Sequence, residues 1–195
     1  MLRLIPMRTL KTLSLLLVAV ILVLALAVYS GAFDVAADSP HTRAVYQLLE
    51  TLRDRSITVR SAAIQVPPLS DPSMIAEGAE HYSAMCSGCH LAPGARDSAI
   101  RPGLYPQPPD LTRSPPPAPA RAFWVIKHGI KMTAMPAWGT THSDAAIWNI
   151  VAFLQKLPAM TPEQFRSLAG ESAAADHDAD ETSDEHAAES HTKHD

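Results

Sequence analysis

The stretch Cys86-Ser87-Gly88-Cys89-His90 decides how this chain folds. Cysteines three positions apart lie on one turn of a helix, so both thiols can reach the two vinyl groups of a single porphyrin and form thioethers with them. The histidine that follows then points at the iron, which is the position of the proximal ligand in several haem proteins. The motif therefore predicts one covalently attached haem c.

Three other uses of a cysteine pair fit the sequence less well. The chain has two cysteines in all, and two cysteines this close cannot form a disulfide framework. A zinc site would need two further soft ligands at matching spacing, and no other cysteine is available. A thioredoxin-like redox pair requires a βαβ pattern, which the sequence around the motif lacks.

The second axial ligand is expected to be a methionine, because a thioether on the far side of the haem closes the iron and raises its reduction potential. Most methionines lie before the haem motif or after the last predicted helix, which leaves Met132 and Met135 in a loop. Pro136 stiffens the backbone beside Met135, so less entropy is lost in fixing that sulfur. We expect Met135 to bind the iron and Met132 to pack in the core.

An apolar segment near the N-terminus predicts a membrane anchor over residues 13–33. The segment after Lys11 holds 22 consecutive uncharged residues, enough for a helix to span about 30 Å of hydrocarbon. Arg3, Arg8 and Lys11 precede it, which favours a cytoplasmic N-terminus over residues 1–12. A cleaved signal peptide with a weak site at 35–37 is the alternative. Both predict that the remainder lies on the periplasmic side of a bacterial inner membrane.

Residues 34–70 are predicted to form a juxtamembrane helix and a linker. Val45, Leu48, Leu49 and Leu52 recur at helical spacing within a helix over 41–62. We expect this helix to be a spacer, with packing on the domain or on a partner as the alternative. The two prolines at 67 and 68 then impose an extended segment.

Residues 71–160 are predicted to form the haem domain. Asp71-Pro72 is a helix start, and that helix should run to about Met85. Nine prolines in 93–119 exclude regular helix or central strand and suggest a chain that wraps a large rigid object. A short helix over 119–128 follows. The last helix opens at Ser143 or Thr141 and runs to Leu157.

The C-terminal segment, 161–195, is expected to be a disordered tail. Residues 171–195 contain nine acidic residues and one lysine. Their negative charge therefore exceeds the net charge of the whole chain, which is −4, and this composition is typical of disorder. Four histidines lie among these acids, and loose binding of copper, nickel or zinc is the alternative to a merely solvating tail (His177, His186, His191 and His194). No region is basic enough to suggest nucleic acid as a partner.

The chain resembles membrane-anchored class I c-type cytochromes, and in particular the mono-haem subunits of bacterial terminal oxidases and periplasmic dehydrogenases. The resemblance rests on Gly78-x-x-x-Tyr82 before the haem motif, on Met135-Pro136-Ala137-Trp138, and on the final helix ending Val151-Ala152-Phe153-Leu154. It implies an all-α class I cytochrome c fold around one covalent haem, preceded by a transmembrane helix and a juxtamembrane helix.

The resemblance also assigns roles to single residues. Gly78 would let the first and last helices of the domain cross closely, with Tyr82 or Trp148 packed at the crossing. The carbonyl of Pro102 would accept the proton on the far nitrogen of His90. Three residues are candidates for holding the haem propionates (Arg96, Arg101 and Trp138).

These observations predict electron transfer on the periplasmic side by a His90/Met135-ligated haem c, as a carrier or as a subunit of a respiratory oxidoreductase. The chain would not itself be an enzyme, would take no small-molecule substrate, and would exchange electrons with a dehydrogenase or terminal oxidase. The alternatives are an open-site haem enzyme or gas sensor, and a metal-handling protein that uses the tail. Six basic residues form either a docking rim or scattered solvated charge (Arg96, Arg101, Arg113, Arg121, Lys127 and Lys131).

Overall fold

The computed structural model describes residues 6–170 of the chain, and within that range it contains seven α-helices and no strand. The chain divides into two units after Ser39. The first unit contains α1, Met7–Tyr29. With 23 residues and a mean hydropathy of 2.8, this helix is long and apolar enough to cross a membrane. A signal sequence near the N-terminus can also be this long and apolar, so the choice between anchor and cleaved signal stays a prediction.

The second unit contains the other six helices (α2 Arg43–Ser61, α3 Pro72–Met85, α4 Ser87–His90, α5 Pro119–His128, α6 Asp144–Leu154 and α7 Pro162–Ala169). The all-α prediction is confirmed. The Asp71 carboxylate accepts a hydrogen bond from the Ser73 amide at 2.9 Å and caps α3. Helix α6 ends at Leu154, earlier than predicted, and a 3₁₀ turn over Leu157–Ala159 follows it.

Helices α3 and α6 cross at the centre of the second unit. A Cβ atom on Gly78 would overlap the carbonyl oxygen of Asn149, so glycine is required for the observed approach of the two backbones. Tyr82 and Phe153 are both fully buried at this crossing, with ring centroids 5.2 Å apart. Trp148 instead stacks on Phe123 of α5, with ring centroids 4.2 Å apart.

Helix α2 packs against α5, so the prediction of a spacer helix was wrong. Ile57 is 3% exposed, and the Arg121 guanidinium on α5 contacts the Asp54 carboxylate at 2.8 Å. The apolar stripe that predicted the helix points the other way: Leu48 is 60% exposed and Leu52 is 58% exposed. Helix α2 therefore docks through a mixed face that contains Ile57 and Asp54, and not through its leucines.

Helix α7 was missed by the sequence analysis, which placed the tail from residue 161 onward. Thr161 and Gln164 form a reciprocal capping box at the start of this helix. Phe165 and Ala169 are 3% and 2% exposed and pack into the core. The folded unit consequently extends to Ala169, beyond the predicted boundary at 160, and the remaining tail lies outside the described residues.

The proline-rich connection between α4 and α5 is irregular, as predicted. Within the described range, its regular structure is a 3₁₀ turn over Arg101–Gly103. The Asp110 carboxylate accepts hydrogen bonds from the amide and hydroxyl of Thr112, at 2.9 and 2.6 Å, and these order the end of the connection. Residues of this connection, among them Pro108, Pro109 and Leu111, line one wall of the cavity that is described below.

Candidate haem site

A cavity of about 460 Å³ lies between α2, α4, α5 and the loop before α6. Four of the predicted haem-binding residues line it (Cys86, Cys89, His90 and Met135). Its other walls are mostly aliphatic and proline side chains, together with Trp138. The structure therefore gathers the predicted thioether and axial ligands around one largely apolar space of a size ordinary for cofactor sites.

The turn α4 presents the haem-attachment residues. The amides of Cys89 and His90 donate to the Cys86 carbonyl oxygen at 3.1 and 2.8 Å, which fixes the helical turn that the spacing predicted. Burial raises the pKa of the Cys86 thiol to about 12, and the neighbouring Cys89 adds to the effect. Both cysteines are consumed as uncharged thioethers if haem c is attached here, so no buried thiolate need form.

His90 is oriented by a proline carbonyl. Its Nδ1 lies 2.9 Å from the carbonyl oxygen of Pro109. A carbonyl oxygen only accepts, so Nδ1 carries the proton and Nε2 presents its lone pair. Burial lowers the pKa of His90, assisted by the charge of Arg101 and opposed by the Pro109 hydrogen bond. The imidazole is thus neutral, the form that binds a metal.

The prediction of Pro102 for this role was wrong. Pro102 lies in the 3₁₀ turn, and the carbonyl that meets His90 belongs to Pro109. The Leu111 amide also donates to the His90 carbonyl oxygen at 3.2 Å, so the segment after Pro109 runs alongside α4. Nine prolines between 93 and 119 offer equivalent carbonyls, and their spacing from His90 does not distinguish them.

Tyr82 ties the haem motif to the core. Its hydroxyl donates to the Leu91 carbonyl oxygen at 2.6 Å, and burial raises its pKa far above the ordinary value. Leu91 adopts a φ of 68°, which turns the chain sharply away from α4. The α3–α6 crossing thereby positions the end of α4.

The loop that carries Met135 is tightly folded. Gly129 ends α5 with a φ of 64°, and a Cβ there would lie 2.7 Å from the Met135 carbonyl oxygen. That oxygen accepts from the Ile130 amide at 3.1 Å, and the Met135 amide donates to the Thr133 hydroxyl at 3.1 Å. The prediction that Met132 packs in the core was wrong, because its side chain is 99% exposed.

The predicted propionate ligands are only partly at the cavity. Trp138 lines it, whereas Arg96 is exposed and Arg101 turns toward the proline segment. The Arg101 Nη2 donates to the Pro108 carbonyl oxygen at 3.1 Å, beside the Pro109 carbonyl that meets His90. Within residues 6–170, the Nε of Arg101 is the buried side-chain polar atom without a hydrogen-bond partner. Arg101 thus holds the segment whose next carbonyl orients His90.

Residues 73–154 match the model of a family described as cytochrome c oxidase, cbb3-type, subunit III. These residues form a c-type cytochrome domain. Neither the curated proteins nor the solved structures gave a match. The c-type cytochrome domain is an electron-transfer module that holds haem c covalently, and the neutral histidine, paired cysteines and apolar cavity fit that group.

The c-type cytochrome domain has neighbours that the sequence analysis did not place at the haem. Tyr46, Glu50 and Arg53 from α2 line the cavity, although α2 precedes the residues matched by the family model. Arg121, predicted as part of a docking rim, lines it as well. Elsewhere in the described residues no cluster of three histidine, cysteine or acidic side chains could hold a metal ion. The histidines of the tail lie outside that range.

Proposed function

We propose that this protein is a membrane-tethered electron carrier, or an electron-transfer subunit of a respiratory oxidoreductase, with its haem domain on the periplasmic side. His90 and Met135 are the proposed axial ligands. The observation that supports the pair is that both side chains line the same cavity, one from α4 and the other from the loop after α5. A bound haem c supplies one-electron chemistry at its iron.

The surroundings of the two residues suit electron transfer. The Pro109 carbonyl fixes the His90 tautomer, and the Ile130 and Thr133 hydrogen bonds hold the backbone of Met135. Residues held in this way would bind the iron of haem c with little movement of their own, and the haem would supply the one-electron chemistry. We assign no small-molecule substrate to such a closed site.

Tethering by α1 supports a partner in or at the membrane. A linked domain has a raised effective concentration near membrane-bound partners. The match to a terminal-oxidase subunit model favours an oxidase as that partner, with a dehydrogenase as the other possibility. A basic docking rim gains little support, because four of the six candidates already form ion pairs with this domain's own carboxylates (Arg101, Arg113, Arg121 and Lys127).

Replacing Met135 by leucine tests the ligand assignment. We expect Met135→Leu to abolish the near-infrared band of methionine-ligated ferric haem, to admit carbon monoxide to the reduced protein, and to lower the midpoint potential. The fall should be on the order of 100 mV, since axial ligands move haem potentials over about 0.8 V. The matched control is Met132→Leu, in the same loop but 99% exposed, which should change none of these.

The opposite result would overturn the proposal. If the unmodified protein lacks the band and binds carbon monoxide rapidly, Met135 is not a ligand and the site is open. The function would then be that of a haem enzyme or gas sensor.

A further inference from the structure

One wall of the haem cavity is polar, and α2 supplies most of it. The side chains at positions 46, 50, 53 and 57 recur every three or four residues and face the cavity together. They are Tyr46, Glu50, Arg53 and Ile57. From α5, Arg121 joins them.

The orientation of α2 differs from that of an ordinary amphipathic helix, although Ile57 is buried. Its leucines face outward, with Leu49 47% exposed, while Arg53 and Glu50 face the cavity. Helices at the surface of a globular domain normally bury the apolar stripe and expose the charges. Part of this charge is balanced within the wall, because Arg53 contacts the Glu50 carboxylate at 3.3 Å and the Asp54 carboxylate at 3.0 Å. An anionic group inside the cavity would suit the guanidinium donors that these contacts leave over.

Haem c has two such groups, its propionate carboxylates, on the edge of the porphyrin opposite the two vinyl positions. Of the cysteines that take the vinyl groups, Cys86 directly precedes α4 and Cys89 lies on it, and α4 packs against α3 and the Arg101–Gly103 turn. Helix α2 packs instead against α5. The thioether wall and the guanidinium wall are therefore different walls of one cavity.

The two guanidinium groups are already held side by side. Arg53 Nε and Arg121 Nη2 both contact the same Asp54 oxygen, at 3.0 and 2.8 Å. Burial raises the pKa of Asp54, but the hydrogen bonds from Arg53 and Arg121 outweigh it and the net pKa is lowered, so the carboxylate stays charged. Each guanidinium has five donors, and these contacts use only some of them.

We infer that Arg53 and Arg121 bind the haem propionates, and that α2 is a wall of the haem site rather than a spacer. Arginine suits the task because its planar fork matches a carboxylate. Asp54 is the positioning residue that holds both forks. The inference rests on haem attachment at Cys86 and Cys89 but not on the identity of the sixth ligand.

The test uses the full chain with haem attached. Resonance Raman spectra contain a propionate bending mode whose frequency reports hydrogen bonding to the carboxylates. We expect Arg53→Gln and Arg121→Gln each to lower that frequency, and the double variant to lower it further. The midpoint potential should fall as well, because an uncompensated propionate charge favours ferric iron. Arg55→Gln, with the same charge change at an exposed position of α2, should leave both unchanged.

The Lys variants guard against loss of folding. Arg53→Lys and Arg121→Lys keep the charge but lose the fork, so each should give a smaller shift in the same direction. Wild-type propionate frequencies in the single and double Gln variants, or in the Lys variants where the Gln variants do not accumulate, would overturn the inference. Met135→Leu should change the near-infrared band but not the propionate mode. A wrong assignment of the sixth ligand can therefore be distinguished from a wrong assignment of the propionate-binding arginines.

Discussion

The two sides of the haem domain are stabilised differently. At the α3–α6 crossing, Ala79, Tyr82 and Phe153 have no exposed surface, and the backbones touch through Gly78. On the α2–α5 side, Arg121 meets Asp54 through partly exposed ionic groups, and the leucines of α2 face outward. The first side has a complete core of its own, whereas the second encloses the cavity.

This difference indicates what the cofactor contributes to the fold. The buried side chains at the α3–α6 crossing pack against one another and need no cofactor there, although Met85 and Leu154 at the ends of these helices line the cavity. Four polar side chains from α2 and α5 instead line a mostly apolar space, which suits a large apolar group with charged ends (Tyr46, Glu50, Arg53 and Arg121). The crossing positions α4 through Tyr82, and we expect the bound haem in turn to hold α2 in place.

The largest effect should come from preventing haem attachment with Cys86→Ser and Cys89→Ser together. Without haem, the apolar lining of the cavity of about 460 Å³ loses its packing partner and is open to water, so the loss of stability should exceed that of either single substitution discussed below. We expect loss of near-ultraviolet circular dichroism and of amide protection in α2 and α5, with residual protection in α3 and α6. Equal amide protection in the α2–α5 pair and the α3–α6 pair would contradict the view that the two sides depend differently on haem.

A smaller loss should follow from Gly78→Ala at the crossing. The added Cβ would overlap the Asn149 carbonyl oxygen, and backbone cannot move aside as a side chain can. Overpacking of this kind costs about 3 kcal/mol, measured as a lower denaturant midpoint of the haem-loaded protein. Gly103→Ala is the matched control, because a Cβ at that position meets no atom within 4 Å. Equal midpoints for the two variants would show that the crossing can relax.

The sequence predicted the crossing better than the cavity wall. The resemblance assigned Gly78 and Tyr82 to a close crossing, and both residues lie there, because both partners of each contact are amino acids. Helix α2 was predicted as a helix, but the face it buries was not, since the partner of Arg53 in our proposal is a cofactor group. Periodicity identifies the helix without identifying what lies against it.

Two other errors have different causes. Helix α7 has a readable start in Thr161-Pro162 with Gln164 at the third helical position, but the acidic composition of the following tail was extended back over it. The proline that orients His90 could not be chosen by spacing, since Pro102 and Pro109 lie in the same irregular segment. Its identity depends on how that segment wraps the cavity.

The smallest effect should come from Asp54→Asn, which removes the carboxylate shared by Arg53 and Arg121. The Asp54 side chain is 49% exposed, so solvent screening limits the loss to about 1 kcal/mol in the free energy of unfolding at neutral pH. Because the folded-state pKa of Asp54 lies below its ordinary 3.8, its contribution is present above that value and is lost as pH falls through the folded pKa. Stability curves of the variant and wild type should therefore converge in acid. Glu80→Gln, at an exposed position of α3, should show neither effect, and a pH-independent difference for Asp54→Asn would mean that the carboxylate acts through packing rather than charge.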